Sequence, residues 1–298
     1  MPRVIDPAVA AACSLEECLA ALDASGFDPR DEDSLLHAAS WLGRLNANRD
    51  FLAEAMLAEL KDATGSQEEA SAYGAQVVML SELGKEYFMR ANFWPSRDEH
   101  SFRASGQNAF SYELPHDHNF DFLTVGYFGP GYSSDYYEFD YEGVEGIVGE
   151  KANLQFIERS TLHPGKVMHY RAHRDVHSQL PPDSLSVSVN IMHAGGAQGW
   201  LDQYKFDVER DTISGVISAG GSEIFLRVAV GLDHPEAHDL AENFARNHVS
   251  DRMRLVALEA QAGVLDMAAR DDLWRRAEAN GSRLIAGEAT RRRALLAA

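Results

Sequence analysis

The hydrophobic pattern of this chain changes period twice, and that limits its fold more than any single motif. Up to about Lys85 apolar residues recur at helical spacing. From there to about Leu232 they alternate, aromatic and β-branched residues rise, and Gly and Pro punctuate. Beyond Leu232 the helical spacing returns. A period of two places successive side chains on opposite faces of a strand, and many short strands between turns indicate a sandwich or closed barrel. The expected fold is α+β: residues 1–85 as a helical N-terminal region, 86–232 as an antiparallel β-barrel, and 233–298 as a helical C-terminal region.

Within the middle region the expected strands are Tyr87–Phe93, Ala109–Leu114, Phe120–Phe128, Tyr136–Tyr141, Asn153–Arg159, Lys166–Arg171, Leu185–Met192, Tyr204–Val208 and Ile224–Val230. Leu185–Ile191 alternates most cleanly, with Leu, Val, Val and Ile on one face and polar residues on the other. The helices announce themselves by their starts. Ser14-Leu15-Glu16-Glu17 and Ser66-Gln67-Glu68-Glu69 are capping boxes, and Gly26 and Gly84 are the matching stops. Helices are also expected over Asp33–Leu45 and over Asp50–Lys61, the latter with Phe51, Met56, Leu57 and Leu60 as core contacts. After the barrel come His234–Asn247, Ser250–Ala262 and a helix through Leu273 and Ala277, and Arg291, Arg292 and Arg293 read as a solvated helix terminus. These ends carry no catalytic constellation; they read as packing or oligomer surface, with a homodimer as the candidate assembly.

Charge removes several function classes. A formal net charge of −19 argues against nucleic acid, whose phosphates need Lys and Arg to displace counterions, and against anionic lipid. No run of 18 apolar residues spans a bilayer. Asp6, Glu16, Glu17 and Asp23 interrupt the apolar patches of the N-terminus where a secretory signal needs an unbroken run, so the cytoplasm is the expected location. The two cysteines, Cys13 and Cys18, read as buried thiols on different sides of a helix.

Histidine carries the chemistry. Of 12 in the chain, seven lie between His116 and His193. In Pro115-His116-Asp117-His118 the two imidazoles are two residues apart, on one side of an extended segment, where both can reach a single metal ion. Downstream, His169, His173 and His177 share one parity ahead of the Leu185–Met192 strand. A straight strand at roughly 3.3 Å per residue would set His169 and His177 roughly 26 Å apart, so only one would reach that ion unless the chain bends near His173.

The order of these motifs resembles the cupin superfamily, including its Jumonji-type branch. His116-x-His118 is followed by a turn at Gly129-Pro130-Gly131, then Pro164-Gly165-Lys166-Val167, a late histidine, and Ser184-Leu185-Ser186-Val187-Ser188-Val189. The resemblance covers roughly residues 100–230. It implies a double-stranded β-helix barrel with one metal held by His116, His118 and a downstream histidine, of which His177 fits best and His169 is next. The pattern departs from the family where many members carry a Glu shortly after His-x-His; Phe122 and Leu123 stand there, and Asp121 comes one residue early. The implied ligands are therefore three neutral imidazoles, as in thiol-dioxygenase-like members, with a His118/Asp121 pairing as the route to a two-His-one-carboxylate set.

Such a site, filled by a divalent transition metal with Fe(II) as the first expectation, leaves positions for O₂ and a small-molecule substrate. The expected cavity lining is Tyr112, Tyr127, Tyr170 and Phe122. Tyr170 and Arg171 are the candidate catalytic residues, Arg171 or Arg174 as a fork on a substrate carboxylate. Asp117 and Asp175 are placed to orient imidazoles. The function expected first is a non-haem iron oxygenase. The alternatives are an iron and 2-oxoglutarate hydroxylase, with Lys166 or Arg171 on the cosubstrate, and a non-oxidative metal-binding isomerase or small-molecule sensor.

Overall fold

A computed structural model describes residues 2–7, 11–62, 76–83, 85–195, 200–218 and 220–297. The expected capping box at Ser66 and its helix stop at Gly84 lie outside these residues. The chain divides into two compact units, one of residues 1–140 and 153–196, the other of residues 141–152 and 197–298.

The first unit runs β1 (Arg3–Ile5), α1 (Leu15–Ser25), α2 (Glu32–Ala47), α3 (Phe51–Asp62), β2 (Val77–Met79), β3 (Tyr87–Trp94), α4 (His100–Ser105), β4 (Phe122–Phe128), β5 (Ser133–Glu138), β6 (Gln155–Thr161), β7 (Val167–Tyr170), β8 (Asp175–Gln179) and β9 (Ser186–His193). The second runs β10 (Tyr204–Asp207), β11 (Thr212–Val216), α5 (Gly221–Gly231), α6 (Pro235–Asn247), α7 (Asp251–Val264), α8 (Met267–Ala277) and α9 (Arg283–Leu296).

In the first unit, strands β1-β7-β4-β9-β3-β2 form a six-stranded sheet and β6-β5-β8 a three-stranded one, with every named ladder antiparallel. The fold is thus mixed, with antiparallel sheets. Among the described residues no ladder closes them into the expected barrel; only single bridges, such as His116 to His177, reach beyond the sheets. Helices α1 to α3 cover one face of the larger sheet, where Leu35, Leu42 and Leu45 of α2 meet Leu123, Val125, Val189 and Ile191. The other face builds a second, aromatic cluster with Trp94, Phe122, Tyr136, Met168, Tyr170 and Met192. Its Tyr136 hydroxyl, from the smaller sheet, lies 2.9 Å from the Tyr170 hydroxyl of the larger.

The helix starts follow local chemistry. Ser14 Oγ accepts from the Glu17 amide at 3.1 Å while Glu17 Oε2 accepts from the Ser14 amide at 2.9 Å, and Asp31 caps α2. In α3, Phe51 and Leu52 are buried, whereas Leu57 and Leu60, expected in the core, are exposed. Cys13 and Cys18 are both buried, but Cys13 precedes the cap and is not on the helix at all. It occupies the place of a hydrophobic staple against the first turn.

Several expected elements differ. Edge strands β1 and β2 interrupt the N-terminal helical region, joining β7 and β3. Ala109–Leu114 is not a strand: a 3₁₀ turn ends at Phe110, and Ser111 and Glu113 adopt left-handed φ of 55°. β8 and β11 were not expected. Ile224–Val230, β-like in composition, is the core of α5, which buries only Leu226 and Val230, four residues apart, and exposes Ile224 and Phe225. Burial at helical spacing overrides strand propensity there. The arginine run near the end is ion-paired: Arg291 and Arg292 to Glu288, and Arg293 to Asp271 and Glu278. Among the described residues no helix is long and apolar enough to cross a membrane.

Candidate metal centre

Two backbone hydrogen bonds create the site. The His116 amide donates to the His177 carbonyl at 3.0 Å and the His177 amide returns to the His116 carbonyl at 2.9 Å. This single antiparallel bridge sets the two side chains abreast. His118, two residues on, points to the same side, and its carbonyl accepts from the His173 amide at 2.8 Å. The Nε2 atoms converge: His118 to His177 is 3.0 Å and His177 to His116 is 3.3 Å. Two nitrogens each about 2.1 Å from one ion, at octahedral or tetrahedral angles, stand about 3.0–3.4 Å apart. The donor set therefore fits a single divalent transition metal, and these three histidines are the group among the described residues that could hold one.

Electrostatics prepares the same outcome. All three imidazoles are buried. Burial pushes His116 below the usual histidine range, and burial together with the neighbouring imidazoles pushes His118 and His177 well below it. The neutral form, which alone can ligate, is thus favoured. His116 Nδ1 lies 2.7 Å from the Leu114 carbonyl, which fixes the proton there and leaves the Nε2 lone pair facing inward.

The imidazoles open onto a cavity of about 210 Å³. Its wall includes Arg90, Asn92 and Trp94 from β3, Asn190 from β9, Tyr132 and Gln179. Asn190 Nδ2 donates to Asn92 Oδ1 at 3.2 Å, and Trp94 Nε1 donates to Ser188 Oγ at 3.0 Å. Phe122 stands edge-on to His118 with ring centroids 4.9 Å apart, and Tyr170 stacks on Phe122 at 4.4 Å.

The other expected site residues distribute differently. Tyr170 lies against His177, ring centroids 5.0 Å apart, with its hydroxyl on Tyr136. His169 is not with the three: its Nε2 meets Asp121 Oδ1 at 3.0 Å, so neither completes the cluster. Arg171 forks onto buried Asp175 and also reaches Glu138, which Arg174 grips from the other side. That places the proposed carboxylate fork in an ion-pair network, in which Asp175 accepts from Arg171. Lys166 Nζ donates to Ser160 and the Thr161 carbonyl. Tyr112 is buried with its hydroxyl on the Pro95 carbonyl, and Tyr127 belongs to the helix-covered face, its hydroxyl on the Asn48 carbonyl. Asp117 is fully buried beside the ligand pair. Arg90, Asn92, Gln179 and Asn190 were not anticipated. For Arg90, Asn92 and Asn190 the signal was strand parity, since each alternates with apolar residues that face the other way; Gln179 follows Ser178 and gave no such signal.

No protein-family model matches the chain, and no curated protein matches it. Among solved structures, the DMSP lyase DddQ of Ruegeria pomeroyi is similar at 12% identity over 65% of this chain and 79% of that one, with a TM-score of 0.26. A putative mannose-6-phosphate isomerase of Ralstonia eutropha aligns at 12% identity over 43% of this chain and 94% of its own, TM-score 0.22. A prolyl 4-hydroxylase structure from Phytophthora capsici aligns at 10% identity over 95% and 83%, TM-score 0.23. Likeness at that level says nothing about activity.

Proposed function

We propose that this chain is a metal-dependent enzyme of the cupin type, an iron oxygenase that binds a small organic substrate directly at the metal. The observation that carries the reading is the convergence of three buried imidazole Nε2 atoms, with contacts of 3.0 and 3.3 Å, on the wall of a polar cavity. Divalent iron held by His116, His118 and His177 would supply open coordination positions for O₂ and a chelating substrate. The chain's own residues do the rest. Phe122, Tyr170 and Trp94 shield the ligands from bulk water, and Arg90 brings a positive charge to the cavity wall. The His116 bond to the Leu114 carbonyl holds one ligand in its metal-binding tautomer.

The 2-oxoglutarate alternative has less support. It needs a carboxylate ligand, but Asp121 is engaged by His169, and the nominated cations Lys166 and Arg171 are engaged elsewhere. The test is metal analysis of iron-reconstituted protein with O₂ uptake against a panel of small organic acids. One ion per chain is expected, lost in His177→Ala and in the His116→Ala/His118→Ala variant and retained in His169→Ala. Metal retention by the double variant would sink the site. Turnover without O₂ uptake would replace the oxygenase by the isomerase reading.

A further inference from the structure

One residue lining the cavity, Gln179, keeps a buried hydrogen-bond acceptor that the protein itself leaves unused. His177 and Gln179 stand two residues apart on β8, so both side chains face the same way, toward the cavity. Gln179 is 5% exposed. Its Oε1 is buried with no hydrogen-bond partner in the protein. A buried amide oxygen without a donor is costly, and such atoms are rare in folded proteins. A bound molecule with an N–H or O–H would satisfy it.

Arg90 on β3 lines the same cavity as His118 and Tyr132. A guanidinium beside a metal site suits a carboxylate. At about 210 Å³ the space equals about seven waters at roughly 30 Å³ each, which limits the occupant to a small molecule.

Resting on the metal-enzyme reading above, we infer that the substrate is a small organic acid that also carries a hydroxyl or ammonium donor, with Arg90 binding its carboxylate and Gln179 Oε1 accepting from its donor. Gln179 is then a specificity residue. A site built around a buried acceptor rejects analogues that lack the donor, because the acceptor is again left unpaired.

The experiment is calorimetric binding to the metal-loaded protein, with metal stoichiometry measured on every sample. The probes are propanoate, 2-hydroxypropanoate, 3-hydroxypropanoate and 2-hydroxypropanamide. One of the two hydroxy acids should bind about tenfold or more tighter than propanoate. Arg90→Met should weaken the preferred acid about tenfold or more. Gln179→Met should remove most of the preference for the hydroxyl while keeping the metal and leaving propanoate affinity within about twofold. Should that variant fail to fold, Gln179→Glu, which keeps an acceptor at the same position, should retain binding of 3-aminopropanoate. Metal bound normally with no preference for a hydroxyl, or a preference that survives Gln179→Met, would overturn this inference alone. Failure of the wild-type chain to hold metal would instead overturn the reading of the three histidines.

Discussion

Replacing Arg171 by Met should damage stability and leave ligand binding intact. Arg171 follows β7, and Asp175 opens β8, the strand that carries His177. The Asp175 side chain is 0% exposed and accepts from Arg171 Nη2 at 2.6 Å, Nε at 3.0 Å and the Arg171 amide at 2.8 Å. Methionine keeps the apolar stem but withdraws the two charge-assisted bonds to Asp175 and the one to Glu138, leaving the buried Asp175 carboxylate without its cation. Breaking a buried ion pair from one side costs about 3–5 kcal/mol; the Arg171 side chain is 29% exposed and partly screened, so about 3 kcal/mol is expected. Adding Asp175→Asn removes the stranded charge, so the double variant should recover about 2 kcal/mol relative to additivity. Urea unfolding followed by Trp fluorescence, with all four proteins of the cycle, measures both figures. A loss below about 1 kcal/mol, or strict additivity, would refute the argument from burial. Normal stability with lost binding of organic acids would return Arg171 to the role of substrate fork.

Two further outcomes follow from the same geometry. Because His116, His118 and His177 are held below the usual range when folded, the unfolded chain takes up protons first as pH falls below about 6.5. Their contribution is therefore present above that pH and lost below it, by about 1.4 kcal/mol per pH unit for each histidine. Metal-free protein should melt lower at pH 5 than at pH 8, and equal melting temperatures would contradict the burial. In β4, a Cβ added at Gly126 would lie 2.3 Å from the His163 carbonyl oxygen and 2.8 Å from that of Leu162, both backbone atoms. Gly126→Ala should then cost about 2–4 kcal/mol, read as a lowered melting temperature, and an unchanged one would show that this loop yields freely.

How far the sequence could be read depended on whether a pattern was local. The Ser14 capping box and the alternation ahead of Ile191 are decided within a few residues, and the structure shows the first whole and the second from Ser186, with Leu185 exposed before the strand. His116 and His118 share a side because two residues of extended chain guarantee it. His169 and His177 share that parity too, but β7 ends at Tyr170 and a turn with His173 at φ 57° leads into β8, and the two strands lie in different sheets. Parity has meaning only inside one strand, and His169 consequently pairs with Asp121 away from the cluster. Arg90 and Asn92 alternate with Met89 and Ala91, a pattern that an ordinary strand with one wet face would also show. Only the second sheet, distant in sequence, turns that face into a cavity. The helix α5 escaped for a similar reason: which of its apolar residues are buried is decided by α7 and α6.

The two-sided burial of β9 separates what can change from what cannot. Val187, Val189 and Ile191 belong to the helix-backed core, while Ser186, Ser188 and Asn190 are just as buried on the opposite side, Asn190 at the cavity wall. Slippage by one residue would drive aliphatic groups toward the histidines and amides into the hydrocarbon layer, so pairing errors are rejected from both directions at once. The same division leaves the cavity-facing position free to vary in descent. A lineage could re-tailor Asn190, and with it Asn92 across the strand pair, to admit a different acid without disturbing a single side chain under the helices. Diversification of substrate and conservation of fold would then proceed on alternate residues of one segment.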